Sequence, residues 1–268
     1  MTIKTSICDL HPKTINSDEI ISSKFSDSLA LSGSLLVRSL FNKPTIDESL
    51  ARVIDHYNFI DSLDENEKSN RKYFMETFRG AALLKNVVSD TGKLKDSALV
   101  KSFLDSKTLT AIRDYFSEPV GILGWASRTR RVGPKLPKFD LPFHQDSFVF
   151  KTNKALTVWI PLVDSGVDAA GLAVYLAAIT KNFEHTLTPT DGRYAEVEMP
   201  KTNLEFDEKL IWTPEVKAGD VIIFPPTTLH RTNRPESVCK TRYSCEFRIV
   251  PESLANIEHY KGMYERLE

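Results

Sequence analysis

The chain has 268 residues, of which 41% are hydrophobic and 26% are charged. This length suits one large domain, and the apolar fraction can build a sizeable core, which excludes a disordered or collagen-like chain. Lysine and arginine total 35 against 36 acidic residues, so the net charge of -1 gives no general attraction to nucleic acid or to an anionic membrane. Three scattered cysteines favour a reducing compartment, and the chain shows neither an apolar signal core nor a bilayer-length apolar run. These features indicate a cytoplasmic protein that binds no membrane, and they leave the oligomeric state open.

Helical periodicity dominates residues 1–118. Apolar side chains recur at spacings of three and four over residues 46–63, 67–84 and 95–116, which predicts helices there, with Asp47 and Asp96 as N-caps. The exception is the run SGSLLVRSLF at 32–41, which follows a turn signal and predicts a strand.

The residue pattern changes after Pro119, where short runs rich in β-branched and aromatic residues follow one another at fairly regular spacing. They are PVGILGWAS, LPFHQDSFVF, ALTVWIPLVD, GLAVYLA, RYAEVEM, DVIIFPP and RYSCEFRIV. Such a series is typical of an antiparallel barrel or sandwich. Residues 251–268 are amphipathic and predict a C-terminal helix. We therefore expect a single domain over 1–268, in which helices of the N-terminal part buttress the β-structure of residues 119–250.

Two of the six histidines lie in informative contexts. His144 precedes Asp146 by two residues, and on a strand this spacing places both side chains on the same face. His230 ends the segment GDVIIFPPTTLH, in which Gly219 and Asp220 predict a turn before an apolar strand. Two imidazoles and one carboxylate form the facial triad that binds non-haem Fe(II) and leaves coordination positions open.

The triad needs support from its context, because a His-x-Asp tripeptide occurs by chance about four times in ten in a chain of this composition. A histidine on a half-buried strand is also commonly a structural residue. Further evidence comes from TRYSCEFRIV, where Arg242, Ser244, Glu246 and Arg248 alternate with apolar residues and share one face. An inward guanidinium on this strand can bind a dicarboxylate bidentately, whereas the alternative is an Arg–Glu ladder on a solvated face.

The ordered segments FHQDSF, LTVWIPLVDSGVDAAGL, AGDVIIFPPTTLHRT and TRYSCEF resemble the phytanoyl-CoA dioxygenase-like branch of the Fe(II)/2-oxoglutarate oxygenases. The similarity covers roughly residues 119–250, and SGSLLVRSLF resembles the N-terminal strand of the family. It implies a double-stranded β-helix, the jelly-roll or cupin-like core, with Fe(II) on His144, Asp146 and His230. It also implies that Arg242 holds the co-substrate 2-oxoglutarate, that Thr232 hydrogen-bonds the same carboxylate, and that Trp159 lies nearby.

Two departures from the family accompany this resemblance. The chain has YLAAITKNFEH where many relatives have a Pro-Gly-Ser-His segment, so part of the wall on the substrate side differs. Arg248 also competes with Arg242 as the carboxylate anchor, although RYS-x-E matches the pattern of the family at Arg242. The resemblance implies a reaction with dioxygen that releases succinate and carbon dioxide. Related halogenases replace the metal carboxylate with a small residue, so Asp146 favours hydroxylation or desaturation.

The substrate is less visible in the sequence. The loop SRTRRVGPKLPK, just before the metal segment, holds five cations: Arg128, Arg130, Arg131, Lys135 and Lys138. Arg128 and Arg130 share a strand face, so both can point to one ligand. They predict a small organic substrate with a carboxylate, a phosphate or a carrier group, while a solvated loop is the plainer interpretation. Binding of double-stranded nucleic acid is not expected of a neutral protein with only five local charges.

Two other functions remain compatible with a jelly roll. A cupin-like metal enzyme that does not use 2-oxoglutarate would leave Arg242 structural. A non-catalytic small-molecule-binding jelly roll would keep His144 and His230 as core residues without a tight iron site.

Overall fold

The computed structural model describes residues 14–135, 140–150, 152–187, 195–197, 207–257, 260 and 262–268. Lys138 lies outside these residues, as does most of the run RYAEVEM. None of the helices in the described ranges is long and apolar enough to cross a membrane.

Seven helices fill most of the described chain before the β-rich part, and an eighth, of a single turn, lies within that part. Their bounds are α1 Ser22–Ser32, α2 Lys43–Ser62, α3 Glu65–Ser69, α4 Phe74–Arg79, α5 Leu84–Val88, α6 Ala98–Leu104, α7 Lys107–Phe116 and α8 Ser147–Phe150. The predicted helices at 46–63 and 95–116 are confirmed, the second as the pair α6 and α7.

The caps and the middle helix differ from the prediction. Asn42 caps α2 by accepting a hydrogen bond from the Thr45 amide, and Ser97 caps α6 in the same way from the Val100 amide, so Asp47 and Asp96 are not N-caps. Residues 67–84 do not form one helix, because Asn70 is extended between α3 and α4, and Gly80 ends α4 in the left-handed region at φ 55°, after which the chain continues as a strand.

The strands extend over most of the length of the chain. Their bounds are β1 Thr14–Asn16, β2 Leu35–Arg38, β3 Ala81–Leu83, β4 Val120–Leu123, β5 Arg128–Val132, β6 Leu156–Pro161, β7 Gly171–Tyr175, β8 His185–Leu187, β9 Ala195–Val197, β10 Ile211–Trp212, β11 Val221–Phe224, β12 His230–Asn233, β13 Arg242–Pro251 and β14 Tyr264–Arg266. The strand predicted within 32–41 is therefore confirmed as β2.

Among the described residues these strands form two larger sheets and one hairpin. The large sheet has the order β1-β2-β11-β6-β13-β4-β14, with β5 also paired to β13 and β3 paired to β5. The small sheet has the order β10-β7-β12, and β8 pairs with β9. Every pairing within the two larger sheets is antiparallel except that of β1 with β2.

The two faces of the large sheet bury different partners because strand side chains alternate. Val158 and Phe247 are packed in the same apolar core as Phe103 and Ile112 of the helices. Trp159, one position away on β6, packs instead with Leu172 and Val174 of the small sheet; Leu36, Val216, Ile222 and Phe224 belong to the same cluster. The helices thus cover one face of the large sheet, and the other face encloses the space against the small sheet, as expected for a jelly roll.

The C-terminal segment is not the helix predicted for 251–268. Its described residues form a short 3₁₀ turn at Glu252–Leu254 and then β14, which pairs with the edge strand β4. Gly262 lies in the left-handed region at φ 75°, where the chain turns into β14. The segment crosses the end of the sheet and buries Leu254, Tyr260 and Leu267, which accounts for its amphipathic pattern.

Candidate metal and co-substrate site

The two histidines lie side by side across two paired segments. His230 begins β12, and its backbone exchanges two hydrogen bonds with that of His144, of 3.0 and 3.1 Å. The imidazole rings consequently lie 4.2 Å apart between their centroids. The site is therefore anchored on the small sheet, at the start of β12.

Asp146 reaches the same point by a different route from the one predicted. Residues around His144 form only an isolated bridge, and after Asp146 the chain enters the single turn of α8, so LPFHQDSFVF is not a strand. The Ser147 amide donates to the Pro226 carbonyl at 3.0 Å, and the Phe150 amide to the Asp146 carbonyl at 3.0 Å. The prediction of a strand is wrong, yet the predicted convergence of His144 and Asp146 occurs because this turn points the carboxylate inward.

The three side chains are arranged as metal ligands. The carboxylate oxygens of Asp146 lie 3.9 Å from Nε2 of His144 and 3.9 Å from Nε2 of His230. One ligand atom from each residue lies within 4.8 Å of the others. In each ring Nδ1 faces a backbone carbonyl, that of Pro142 at 2.8 Å and that of Thr228 at 3.0 Å. Those carbonyls fix the proton on Nδ1, and Nε2 keeps a free lone pair, which is the state that a metal requires.

The charge states also fit a cation. Burial lowers the pKa of His144 to about 3, with a contribution from the neighbouring His230, and burial likewise lowers the pKa of His230. Burial acts to raise the pKa of Asp146, but the Arg248 guanidinium and the two imidazoles hold it well below its usual range. Near neutral pH the site therefore offers two neutral imidazoles and one carboxylate, which fits Fe(II).

The inward face of β13 carries the predicted polar residues. Arg242, Ser244, Glu246 and Arg248 are all buried, so the ladder is not solvated and both arginines face the interior. Arg242 donates from Nη1 to the Gly171 carbonyl at 2.9 Å, while its buried Nε finds no partner among the described residues. Arg248 instead contacts Asp146 and Glu246, at 2.6 and 2.7 Å.

Further donors surround the same cavity. Thr232 accepts a hydrogen bond from the Leu141 amide at 3.0 Å, which leaves its hydroxyl hydrogen available. The buried indole nitrogen of Trp159 has no partner among the described residues, and the Arg242 guanidinium lies 5.9 Å from the Trp159 ring. The cavity is lined by Arg130, Leu141, His144, Thr157, Trp159, Leu172, Phe224, His230, Arg231, Thr232, Arg242, Glu246 and Arg248. Buried donors without partners are costly, so this group fits an oxygen-rich anion such as 2-oxoglutarate.

The two arginines predicted for the substrate occupy different positions. Arg130 lines the cavity and donates from Nε to Glu246 at 3.1 Å. Arg128 lies on the same face of β5, opposite Glu246, but it is not part of the cavity wall. Burial lowers the pKa of Arg128 to about 10, and its Nη1 has no partner among the described residues. Of the other loop cations, Arg131 pairs with Asp61 at 2.5 Å and Lys135 is exposed.

Sequence reasoning missed two groups of residues around the metal segment. Thr157 donates to Oδ2 of Asp146 at 2.8 Å, and its place directly opposite Arg248 follows from a strand register that the sequence does not reveal. The backbone amide of Gln145 donates a hydrogen bond to Nε2 of His185 at 2.9 Å, and its side-chain amide donates to the Thr227 carbonyl at 2.6 Å. His185 belongs to YLAAITKNFEH, the segment that departs from the family pattern. This segment therefore contacts the backbone of Gln145, between His144 and Asp146.

A jelly roll with two neutral imidazoles and a carboxylate inside it has the architecture of the non-haem iron oxygenases that use 2-oxoglutarate. The model of the family Phytanoyl-CoA dioxygenase (PhyH) matches residues 31–242. The chain therefore belongs to this family, and it is a 2-oxoglutarate-dependent non-haem iron dioxygenase whose cofactors are iron and 2-oxoglutarate. None of the curated proteins compared with the chain matches it.

Solved structures give the same fold at low sequence identity. The epimerase SnoN, in complex with Fe3+, alpha ketoglutarate and nogalamycin RO, is 14% identical with a TM-score of 0.59, over 86% of this chain and 83% of that chain. The non-heme monooxygenase ThoJ in its apo form is 12% identical with a TM-score of 0.57, over 84% and 76%. The alpha ketoglutarate dependent carbocyclase SnoK from nogalamycin biosynthesis is 11% identical with a TM-score of 0.55, over 88% and 86%. These likenesses confirm the predicted jelly roll.

Proposed function

We propose that the protein hydroxylates or desaturates a small anionic organic metabolite and that His144, Asp146 and His230 bind its iron. The observation that carries the metal assignment is the orientation of the two imidazoles. Each Nδ1 is occupied by a backbone carbonyl, and each Nε2 lies 3.9 Å from the same buried carboxylate. Core histidines without a metal would be expected to use both ring nitrogens in hydrogen bonds.

We propose Arg242, Thr232 and Trp159 as the residues that hold 2-oxoglutarate. All three line the cavity that contains His144 and His230, and each has a donor that the described residues leave available. A guanidinium can bind the distal carboxylate of the co-substrate through two parallel hydrogen bonds. Arg248 is the weaker candidate, because the carboxylates of Asp146 and Glu246 already occupy it.

The charge of the cavity supports an anionic substrate. Arg130, Arg242 and Arg248 line it together with Glu246, and Asp146 contacts Arg248, so these five groups leave an excess of one positive charge. Fe(II) adds two positive charges and 2-oxoglutarate compensates them, so the excess persists in the complex that receives the substrate. A carboxylate, a phosphate or a carrier-linked substrate would neutralise it. We propose Arg130 as a contact of the substrate and Arg128 as its neighbour behind the cavity wall.

The residues of the chain contribute binding, orientation and exclusion of water. Bound iron and 2-oxoglutarate supply the activation of dioxygen, with release of succinate and carbon dioxide and oxidation of an unactivated C–H bond of the substrate. Leu141, Leu172 and Phe224 line the cavity beside the triad and limit the access of water to it. The carbonyls of Pro142 and Thr228 hold the ring protons away from the metal side.

Succinate formation tests this function. The protein is purified anaerobically, supplied with Fe(II) and 2-oxoglutarate, exposed to dioxygen and screened with carboxylates and phosphate esters for stimulation of succinate release. We expect stimulation by anions and none by neutral analogues of the same shape. Iron binding without any conversion of 2-oxoglutarate would indicate a cupin-like enzyme of another type, and failure to bind iron would indicate a binding protein.

A further inference from the structure

The metal carboxylate is contacted by a cross-strand pair. Arg248 of β13 lies directly opposite Thr157 of β6, and both side chains point to the inner face of the large sheet. Arg248 is only 5% exposed, and its Nη2 is anchored by Oε2 of Glu246 at 2.7 Å. Glu246 is itself held by Arg130, at 3.1 Å. The guanidinium is thus held by Glu246 as well as by Asp146.

The two oxygens of Asp146 have unequal surroundings. Oδ2 accepts hydrogen bonds from Thr157 Oγ1 at 2.8 Å and from Arg248 Nη1 at 2.6 Å, and the same Nη1 also donates to the Thr157 hydroxyl. Among the described residues, Oδ1 is contacted by Nη2 of Arg248 alone, at 3.4 Å, which is longer than an ordinary N–H···O bond. The lone pairs of Oδ2 are therefore occupied, and those of Oδ1 remain available.

We propose that Thr157 and Arg248 are positioning residues that hold Oδ2 of Asp146, so that only Oδ1 is offered to the iron. This inference rests on the proposed assignment of Asp146 as a ligand. Its consequence is a count of coordination positions. Two histidines and a monodentate carboxylate leave three positions for a chelating co-substrate and dioxygen, whereas a bidentate carboxylate would occupy one of them.

Binding of Co(II) in the absence of 2-oxoglutarate tests the proposal without turnover. The variants are Thr157→Val, which removes one donor to Oδ2, and Arg248→Lys, which keeps the charge but loses the planar fork. Arg131→Met is the matched control, because Arg131 pairs with Asp61 and does not line the cavity. Partners of metal ligands typically contribute 10-fold to 100-fold to metal affinity, so we expect the Kd for Co(II) to rise at least about 10-fold in both variants. The visible Co(II) absorption should also change, as the carboxylate becomes free to chelate.

The outcomes separate this inference from the proposed function. Unchanged Co(II) affinity and spectrum in Thr157→Val and Arg248→Lys, with both proteins folded by near-ultraviolet circular dichroism, would overturn it. If Arg248→Lys does not fold, Thr157→Val decides alone, because it only removes a hydroxyl. Normal Co(II) affinity combined with weaker subsequent 2-oxoglutarate binding in Arg248→Lys would make Arg248 a co-substrate anchor and also overturn it. Failure of the unmodified protein to bind Co(II) would defeat the proposed metal site instead.

Discussion

Replacing Arg242 by leucine should weaken 2-oxoglutarate binding about a hundredfold without removing the metal. The side chain is 2% exposed, and its Nη1 is bound to the Gly171 carbonyl at 2.9 Å, which fixes the guanidinium before any ligand arrives. Because Nε has no partner among the described residues, the guanidinium can still donate toward a carboxylate in the cavity. In Arg242→Leu the carboxylate of 2-oxoglutarate loses both the positive charge and the paired N–H donors of the guanidinium.

The magnitude follows from the hydrogen bonds that are lost. A hydrogen bond to a charged group contributes about 1.5–3 kcal/mol, so two parallel bonds contribute at least about 3 kcal/mol. Since about 1.4 kcal/mol corresponds to a tenfold change in affinity, the expected loss is on the order of a hundredfold. Arg242→Lys keeps the charge and one bond, and we expect about a tenfold loss.

The assay is an anaerobic titration of the Fe(II) protein with 2-oxoglutarate, followed by the weak visible charge-transfer band. Arg234→Leu is the control, because Arg234 pairs with Asp140 at 2.6 Å and does not line the cavity. The affinity of this variant for 2-oxoglutarate should stay within threefold of that of the original protein. Metal content and thermal stability are measured in parallel. An Arg242→Leu protein that is folded, holds iron and binds 2-oxoglutarate within threefold of the original would refute the assignment.

Three further predictions concern the triad, the substrate and pH. His144→Ala or His230→Ala should abolish Fe(II) binding, measured by metal analysis after dialysis, with the far-ultraviolet spectrum unchanged; full occupancy in either protein would remove that residue from the ligands. Arg130→Ala should weaken the binding of an anionic metabolite that stimulates succinate release more than Arg128→Ala does, without altering the uncoupled conversion of 2-oxoglutarate; equal affinities in both variants and the original would leave the loop without a role. The folded pKa of His144, about 3, lies below the unfolded value of about 6.5, so only the unfolded chain takes up this proton between them. The stability of the metal-free protein should therefore be complete above about pH 6.5 and fall toward pH 4, by up to about 1.4 kcal/mol per pH unit from this residue. Denaturant unfolding between pH 7 and pH 5 measures this slope, which should flatten in His144→Gln; an unchanged slope would contradict the explanation.

Local sequence patterns were sufficient for five strands of the large sheet, β2, β4, β6, β11 and β13, and for the polarity of its faces. The alternation in RYSCEFRIV predicted an inward polar face, and the structure places Arg242 and Arg248 there, with Phe247 on the helix side. The turn at Gly219 and Asp220 precedes β11 as expected, and Gly219 has φ 93°, a value that L side chains rarely adopt. These features depend on a period of two and on turn chemistry, both of which are written along the chain.

The features that sequence reasoning missed depend on partners distant in the chain. Tyr264 lies in a strand instead of a helix because β4 presents a free edge to it, about 140 residues earlier in the sequence. Asp146 lies in a turn because the Ser147 amide binds the Pro226 carbonyl. The opposition of Thr157 and Arg248 is likewise set by register. Periodicity within a segment carries no information on any of these pairings.

The reciprocal backbone hydrogen bonds between His144 and His230 have a thermodynamic consequence. They belong to the sheet and need no cation, so ordering of the two ligand-bearing segments is accomplished when the chain folds. Zinc fingers behave in the opposite way, since they obtain their folding free energy from the metal. In this protein a chelator should extract the ion and leave the amide hydrogen exchange of residues 144 and 230 slow. The metal-free protein would then be a stable receptor, and none of the free energy of metal binding would be needed to order the two ligand-bearing segments.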